Sequence, residues 1–395
     1  MRVLLYCQYL LGVGHLFRAA RLAAALRGHE VVLLTGGPAV VLDLPAHVRW
    51  MRQAPLRADP DFSRLIPCDG EQDLEALKTE RAARLLQLVD EFRPDVFVTE
   101  QYPFGRGMFR FELGPCLAAM SRGEFGDVTV VCSLRDIISQ RADPGYWERK
   151  VLTRLGAGFQ AVLVHADPLL LPLERTFSQV ARCPCPVIYT GFVAPDPPTR
   201  SREALRRDLG AAVGERLVVA GLGGGRVGHE LARTLVAAFH TGRVPNARLV
   251  LFPGPLTGPL ADEDEDATVW RQGADSAKVT VMPHSPHFAG FLTAADVAVG
   301  TGGYNTCMEI LSAHVPALLW PVTGLAEQAL RCTSIAVPGF REVLDTTDLE
   351  PERLAHRLRA LLDGARHDGA GLTIDLQGAT RTAGLLETLV RARGR

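Results

Sequence analysis

Three short stretches of this chain carry residue types whose spacing suits joint chemistry. In GTGGYNTCME, residues 300–309, Gly300, Gly302 and Gly303 precede a helical run that begins at Asn305. Glycines there let backbone N–H groups approach a ligand, and the positive end of a helix dipole favours a phosphate. Glu309, a little over one turn into that helix, is placed to accept the two vicinal hydroxyls of a ribose. Glu327 and Gln328 follow the next apolar strand, where a polar pair can hydrogen-bond a second sugar. Phosphate, ribose and sugar in that order describe a nucleotide-sugar site. The plainer reading is a set of turn glycines from any α/β loop and a solvated Glu-Gln pair at a helix start.

The second stretch is Gly12-Val13-Gly14-His15, with Arg18 one turn on. A neutral imidazole at His15 can take a proton from an acceptor hydroxyl; as a cation it can hydrogen-bond a diphosphate. It can also serve only to cap the loop. Arg18 has two options as well, a phosphate or a nearby carboxylate. Glu100 is the third feature, at the carboxyl end of the apolar strand Val96–Val98. A carboxylate at that position in an open α/β sheet points toward the ligand crevice. Glu100 is therefore a second candidate base or acceptor contact, or else a cap for the next element.

GTGGYNTCMEIL followed about 20 residues later by an acidic residue and Gln resembles the donor-binding segment of GT-B glycosyltransferases. The likeness is greatest to the MurG-like group, glycosyltransferase family 28, and its bacterial relatives. That resemblance implies Gly302, Gly303, Tyr304 and Asn305 at the donor diphosphate, Glu309 at the ribose, and Glu327 and Gln328 at the donor sugar. GxGH followed by Arg18 resembles the N-terminal signature of the same group, which implies Gly14, His15 and Arg18 beside the diphosphate and the acceptor. A second Gly-rich turn, Gly221-Leu222-Gly223-Gly224-Gly225-Arg226, resembles the loop that approaches the donor diphosphate. A backbone segment that packs the nucleobase would fall at Met282 to His284, with Met282 the first candidate.

These residues need elements to hold them. Apolar runs at Val3–Tyr6, Val31–Leu34, Val96–Val98, Val128–Cys132, Ala161–Val164 and Val187–Tyr189 alternate with helical patterns. Such alternation predicts parallel sheets flanked by helices. Arg135 and Asp136 stand just past one strand end and His165 past another. Each is read as an acceptor-side contact or as a purely structural group, which for Arg135 and Asp136 is an internal salt bridge holding the loop. The βα pattern restarts after Ala194–Thr199, whose three prolines mark a linker. The expected layout is an N-terminal Rossmann-like domain at 1–193, a linker at 194–200, a donor domain at 201–375, and a final helix at 376–395. The resemblance implies that this helix crosses back onto the first domain, and that the two form a GT-B fold around a cleft.

At 395 residues the chain is long enough for two domains, and its 47% apolar and 22% charged residues are those of a soluble globular protein. A net charge of −1 argues against nucleic acid and leaves membrane association at most peripheral. No segment is apolar enough to span a bilayer and no cleavable leader is evident, so cytoplasmic is the expected location. The eight cysteines lack zinc spacing. Asp262-Glu263-Asp264-Glu265-Asp266 contains a DxD but follows a Pro/Gly turn, so it reads as a solvated loop with no metal. Neither Gly-rich turn is GxGxxG with an acidic residue about 20 positions on, which disfavours NAD.

The expectation is an inverting, metal-independent glycosyltransferase that uses a nucleoside-diphosphate sugar, UDP or dTDP, as co-substrate and no cofactor. The acceptor would be a small molecule or glycan precursor offering a hydroxyl or amine, with His15 the first candidate base and Glu100 the second. A nucleotide-sugar hydrolase or 2-epimerase of the same fold is the alternative, and a non-catalytic nucleotide-sugar binder or scaffold a further one.

Overall fold

A computed structural model describes residues 1–10, 12–59, 64–70, 72–139, 142–255, 278–364 and 373–393. The acidic run 262–266 and most of the break after Gly364 therefore lie outside the described residues. The chain divides into two compact units, Met1–Val193 with Asp375–Arg395, and Ala194–Ile374.

The first unit is built on β1 (Arg2–Cys7), β2 (Glu30–Thr35), β3 (Val48–Arg52), a small hairpin of β4 (Leu56–Ala58) and β5 (Leu65–Pro67), then β6 (Val96–Glu100), β7 (Thr129–Arg135), β8 (Ala161–His165) and β9 (Val187–Tyr189). Its helices are α1 (Gly14–Ala25), α2 (Leu74–Phe92), α3 (Arg110–Ser121) and α4 (Pro144–Leu155). Seven strands form one parallel sheet in the order β3-β2-β1-β6-β7-β8-β9. Strands covered on both faces read as unbroken apolar runs, and Val3 through Cys7 and Val96 through Glu100 are all buried. Helix α2 starts where the Asp73 side chain accepts from the Glu75 N–H at 3.0 Å, and stops at Arg93 in the left-handed region, just before Pro94.

The strand order carries the functional logic. From β1 the chain winds outward through β2 and β3, then returns to the other side of β1 as β6. Such a reversal opens a crevice at the carboxyl ends of the two central strands. Tyr6 of β1 pairs in register with Thr99 of β6 there.

The second unit repeats the scheme with β10 (Arg216–Gly221), β11 (Ala247–Phe252), β12 (Val279–Val281), β13 (Val297–Thr301), β14 (Ala317–Trp320) and β15 (Arg341–Val343). The described helices are α5 (Arg202–Asp208), α6 (His229–His240), α7 (Phe288–Ala294), α8 (Tyr304–Ala313), α9 (Ala326–Ile335) and α10 (Pro351–Asp363). The parallel order is β12-β11-β10-β13-β14-β15, so the reversal lies between β10 and β13, where Gly221 pairs with Gly300. Leu231, Leu235 and Phe239 of α6 and Leu354 and Leu358 of α10 pack with Val218 and Val299 into one core. A last helix, α11 (Gly378–Arg393), belongs to the first unit and packs on α1 and β7. The chain re-enters that unit through backbone pairing: Phe192 donates to the Asp375 carbonyl at 2.7 Å, and Gly378 donates to the Phe192 carbonyl at 2.9 Å.

No described helix is long and apolar enough to cross a membrane. Strand β3 falls in a stretch the sequence pattern leaves unassigned, because its VRWMR run places arginines between half-buried side chains.

Candidate active site

In the first unit, His15 begins α1 just after β1 and Glu100 ends β6, so the reversal point brings them together. His15 Nδ1 lies 2.8 Å from Glu100 Oε1. An ionised carboxylate only accepts, so Nδ1 carries the proton and Nε2 keeps its lone pair. Glu100 is 3% exposed, and its charge is matched by Arg18, whose guanidinium also bonds Oε1. Although burial works against the charge, the flanking His15, Arg18 and Arg106 hold the Glu100 carboxyl down at about 2. Burial lowers His15 to about 3; Glu100 opposes the shift while Arg106 and Arg18 add to it. At neutral pH the pair is thus a carboxylate and a neutral imidazole.

Of the two options open to Arg18, a phosphate or a carboxylate, the structure shows the carboxylate. Arg18 is 1% exposed and its guanidinium bonds Glu100, which supports the dyad. Gly14 opens α1 beside it. Gly12 has no atom within 4 Å of where a Cβ would sit, so the chain's own packing does not demand glycine there.

The acceptor-side expectations divide. His165 is 0% exposed, with Nε2 2.8 Å from Ser133 Oγ and Nδ1 2.8 Å from Thr190 Oγ1. Both ring nitrogens are engaged inside the sheet, so the position offers nothing to an acceptor; burial holds this imidazole at about 3 and neutral. Asp136 is also buried and accepts from the Ile137 N–H at 2.8 Å. Arg135 is the last residue of β7 and donates Nε–H to the Ile137 carbonyl at 3.2 Å. Both shape the loop after β7.

In the second unit the two Gly-rich turns meet at the reversal point. A Cβ on Gly223 would sit 3.4 Å from Thr306 Oγ1 and 3.5 Å from Thr301 Oγ1, so this turn lies against the start of α8. Gly223 and Gly225 take φ of 67° and 88°, where only glycine is at ease. Gly224 has open space around it and Arg226 is exposed. At α8 the N-cap is Gly303, which makes no side-chain cap and leaves the helix start to glycine backbone. Asn305 and Glu309 lie half-buried in this helix. The Tyr304 ring is 5% exposed and lies under Arg331.

Gly302 is held tightly. A Cβ there would fall 2.6 Å from Cys332 Sγ and 2.9 Å from Gln328 Cβ. Gln328 is 8% exposed and its amide oxygen accepts from the Val322 N–H at 3.1 Å, so it fixes the turn before α9 as well as lying near the glycines. Glu327 at the same helix start is half-exposed. Met282 follows β12, with its N–H bound to the Leu251 carbonyl at 2.9 Å. Arg331 escaped the sequence reading: it is 1% exposed and donates to the Gly302 carbonyl at 2.6 Å. Its signal was present, because Gln328, Arg331, Cys332 and Ile335 share the buried face of α9 at i, i+3, i+4 and i+7.

Against known proteins, residues 256–368 match the glycosyltransferase family 28 C-terminal domain. Over 82 residues the chain is 32% identical to the UDP-N-acetylglucosamine–N-acetylmuramyl-(pentapeptide) pyrophosphoryl-undecaprenol N-acetylglucosamine transferase of Shouchella clausii (strain KSM-K16), a match covering 20% of this chain and 22% of that protein. The matched stretch thus spans about a fifth of the curated relative's length. In three dimensions the chain superposes on Acinetobacter baumannii MurG with a TM-score of 0.55 at 16% identity, covering 98% of this chain and 99% of that one. For a glycosyltransferase from Rickettsia africae ESF-5 the TM-score is 0.59 at 11% identity, with coverage of 99% and 96%. The chain has the GT-B glycosyltransferase fold. Within that fold, the likeness to family 28 rests on residues 256–368.

Proposed function

We propose that the chain is a glycosyltransferase that moves a sugar from a nucleoside-diphosphate sugar, UDP- or dTDP-linked, to a hydroxyl or amine acceptor. The observation that carries this reading is the part-buried His15–Glu100 pair at a sheet reversal point, in a chain whose residues 256–368 match a glycosyltransferase domain. Glu100 fixes the imidazole tautomer, and His15 Nε2 takes the proton as the acceptor oxygen or nitrogen attacks the anomeric carbon. The new glycosidic bond forms as the bond to the diphosphate oxygen breaks, and a single displacement inverts the anomeric centre.

The donor is proposed to lie on the second unit. The amides of the α8 first turn and of the Gly223–Gly225 turn, with Arg226, take the diphosphate. Glu309 accepts from the ribose hydroxyls, Glu327 and Gln328 reach the donor sugar, and Met282 with the backbone after it flanks the base. Charge building on the departing diphosphate is stabilised by these amides and Arg226, which works best where the donors are already oriented.

The test is incubation with a panel of UDP-, dTDP- and GDP-sugars, with and without mixed acceptors, following free nucleotide and product mass. Acceptor-dependent release from one donor is expected. Fast release with water alone would make the chain a hydrolase, and no release or thermal shift with any nucleotide would reduce it to a scaffold.

A further inference from the structure

The turn after β6 holds two non-glycine residues in the left-handed region, Gln101 at φ 66° and Arg106 at φ 57°. Such strain survives where its surroundings impose it, and it clusters at functional sites. Gly105 lies between them, and a Cβ there would stand 3.1 Å from Gln101 Oε1, so the Gln101 amide folds against the turn.

Arg106 differs from the buried arginines. Arg81 is bound to Glu112, Arg18 to Glu100, Arg331 to the Gly302 carbonyl and Arg341 to the Ile335 carbonyl. Among the described residues, the half-buried Arg106 guanidinium makes no hydrogen bond or ion pair, and its Nε is buried without an acceptor. The amide nitrogen of Gln101, a residue 8% exposed, is likewise buried without an acceptor. Arg106 lies within electrostatic reach of Glu100, Arg18 and Cys7. Glu100 is already matched by Arg18. Two guanidiniums against one carboxylate, with His15 neutral, leave this cluster a net positive charge and a surplus of N–H donors.

We propose that Arg106, seconded by the Gln101 amide, anchors an anionic group (carboxylate or phosphate) on the acceptor whose nucleophile His15 deprotonates. A planar guanidinium matches the paired oxygens of either group. Burial is the main cause that depresses His15 and the Arg106 cation adds to it, so an anion there offsets that added part and makes the base stronger. This inference rests on His15 serving the acceptor.

The experiment is isothermal titration of the full chain with glucuronate, glucose 6-phosphate and glucose, without donor, on wild type, Arg106→Gln and Arg106→Lys. Wild type is expected to bind one of the anionic sugars at least tenfold more tightly than glucose. Arg106→Gln should bind all three alike, and Arg106→Lys should keep part of the preference. Whichever anion is preferred identifies the group. Wild type that binds neither anion, or binds both no better than glucose, overturns the proposal, and so does a preference that survives Arg106→Gln. UDP is titrated alongside: a loss of UDP affinity in Arg106→Gln, with sugar binding unchanged, would assign the arginine to the donor. No turnover enters the readout, so an absence of glycosyl transfer would sink the proposed function without deciding this one.

Discussion

His15 owes its expected reactivity to what surrounds it. An imidazole held at about 3 has weak driving force as a base, yet it is wholly neutral near pH 7 and its lone pair is already oriented. His15→Gln should cut turnover by about 100-fold while nucleotide affinity stays within twofold; a loss under threefold would remove His15 from the role. The same burial makes a prediction about stability. His15 and His165 sit at about 3 in the folded chain, against about 6.5 for an imidazole in an unfolded one. The unfolded chain therefore binds more protons below pH 6.5, and stability falls as the pH drops from there toward 3. Glu100, held at about 2, adds a contribution present above its unfolded value and lost as the pH falls through 2. Urea midpoints measured from pH 7.5 to 5 should decline below 6.5. A flat profile would show that neither histidine is buried neutral.

At the scale of elements, each sheet places its candidate site where the winding direction reverses, and this accounts for what the sequence revealed. Glycines, a histidine and carboxylates at strand ends are legible, because apolar strand runs are continuous and turn residues punctuate them. The pairing of His15 with Glu100, 85 positions apart, is not legible, since it depends on β6 returning beside β1. Arg18 and His165 were open to a ligand role on position alone, and in the structure both lie buried against the protein's own groups. Edge elements such as β3 and β15 were missed because a short half-buried strand leaves little pattern to read. The Gly302 contacts supply a test at this scale. Gly302→Ala drives a methyl toward Cys332 Sγ and Gln328 Cβ, and overpacking of this kind costs about 1–3 kcal/mol. Donor KM should rise tenfold or more, and Gly302→Ala/Cys332→Ala should recover part of it. No recovery would mean that the glycine is needed for the ligand and not for the thiol. Glu309→Gln should raise donor KM by about tenfold with a smaller change in kcat, the size of one charge-assisted hydrogen bond; equal affinity for UDP in both forms would detach Glu309 from the ribose.

For the whole molecule, α11 makes the first unit depend on residues that the chain reaches only after completing the second. Leu386 of α11 is 1% exposed. Leu386→Ala should cost about 2–5 kcal/mol and lower the first unit's unfolding temperature by roughly 5–15 °C. By differential scanning calorimetry, the transition that UDP raises should stay in place; a shift of both transitions together would show that the units melt as one. The backbone pairing of Phe192 with Asp375 and Gly378 has a mechanical consequence as well. Arg2 and Arg393 both lie in the first unit, so tension applied between them is borne by that unit's strands and by this clasp. Ala194–Ile374 hangs outside the line of force, like a pendant on a closed link, until the clasp gives way. Stretched through those two residues, the chain should yield the unit bearing His15 first, and the sheet that carries the glycine turns should lengthen only afterwards.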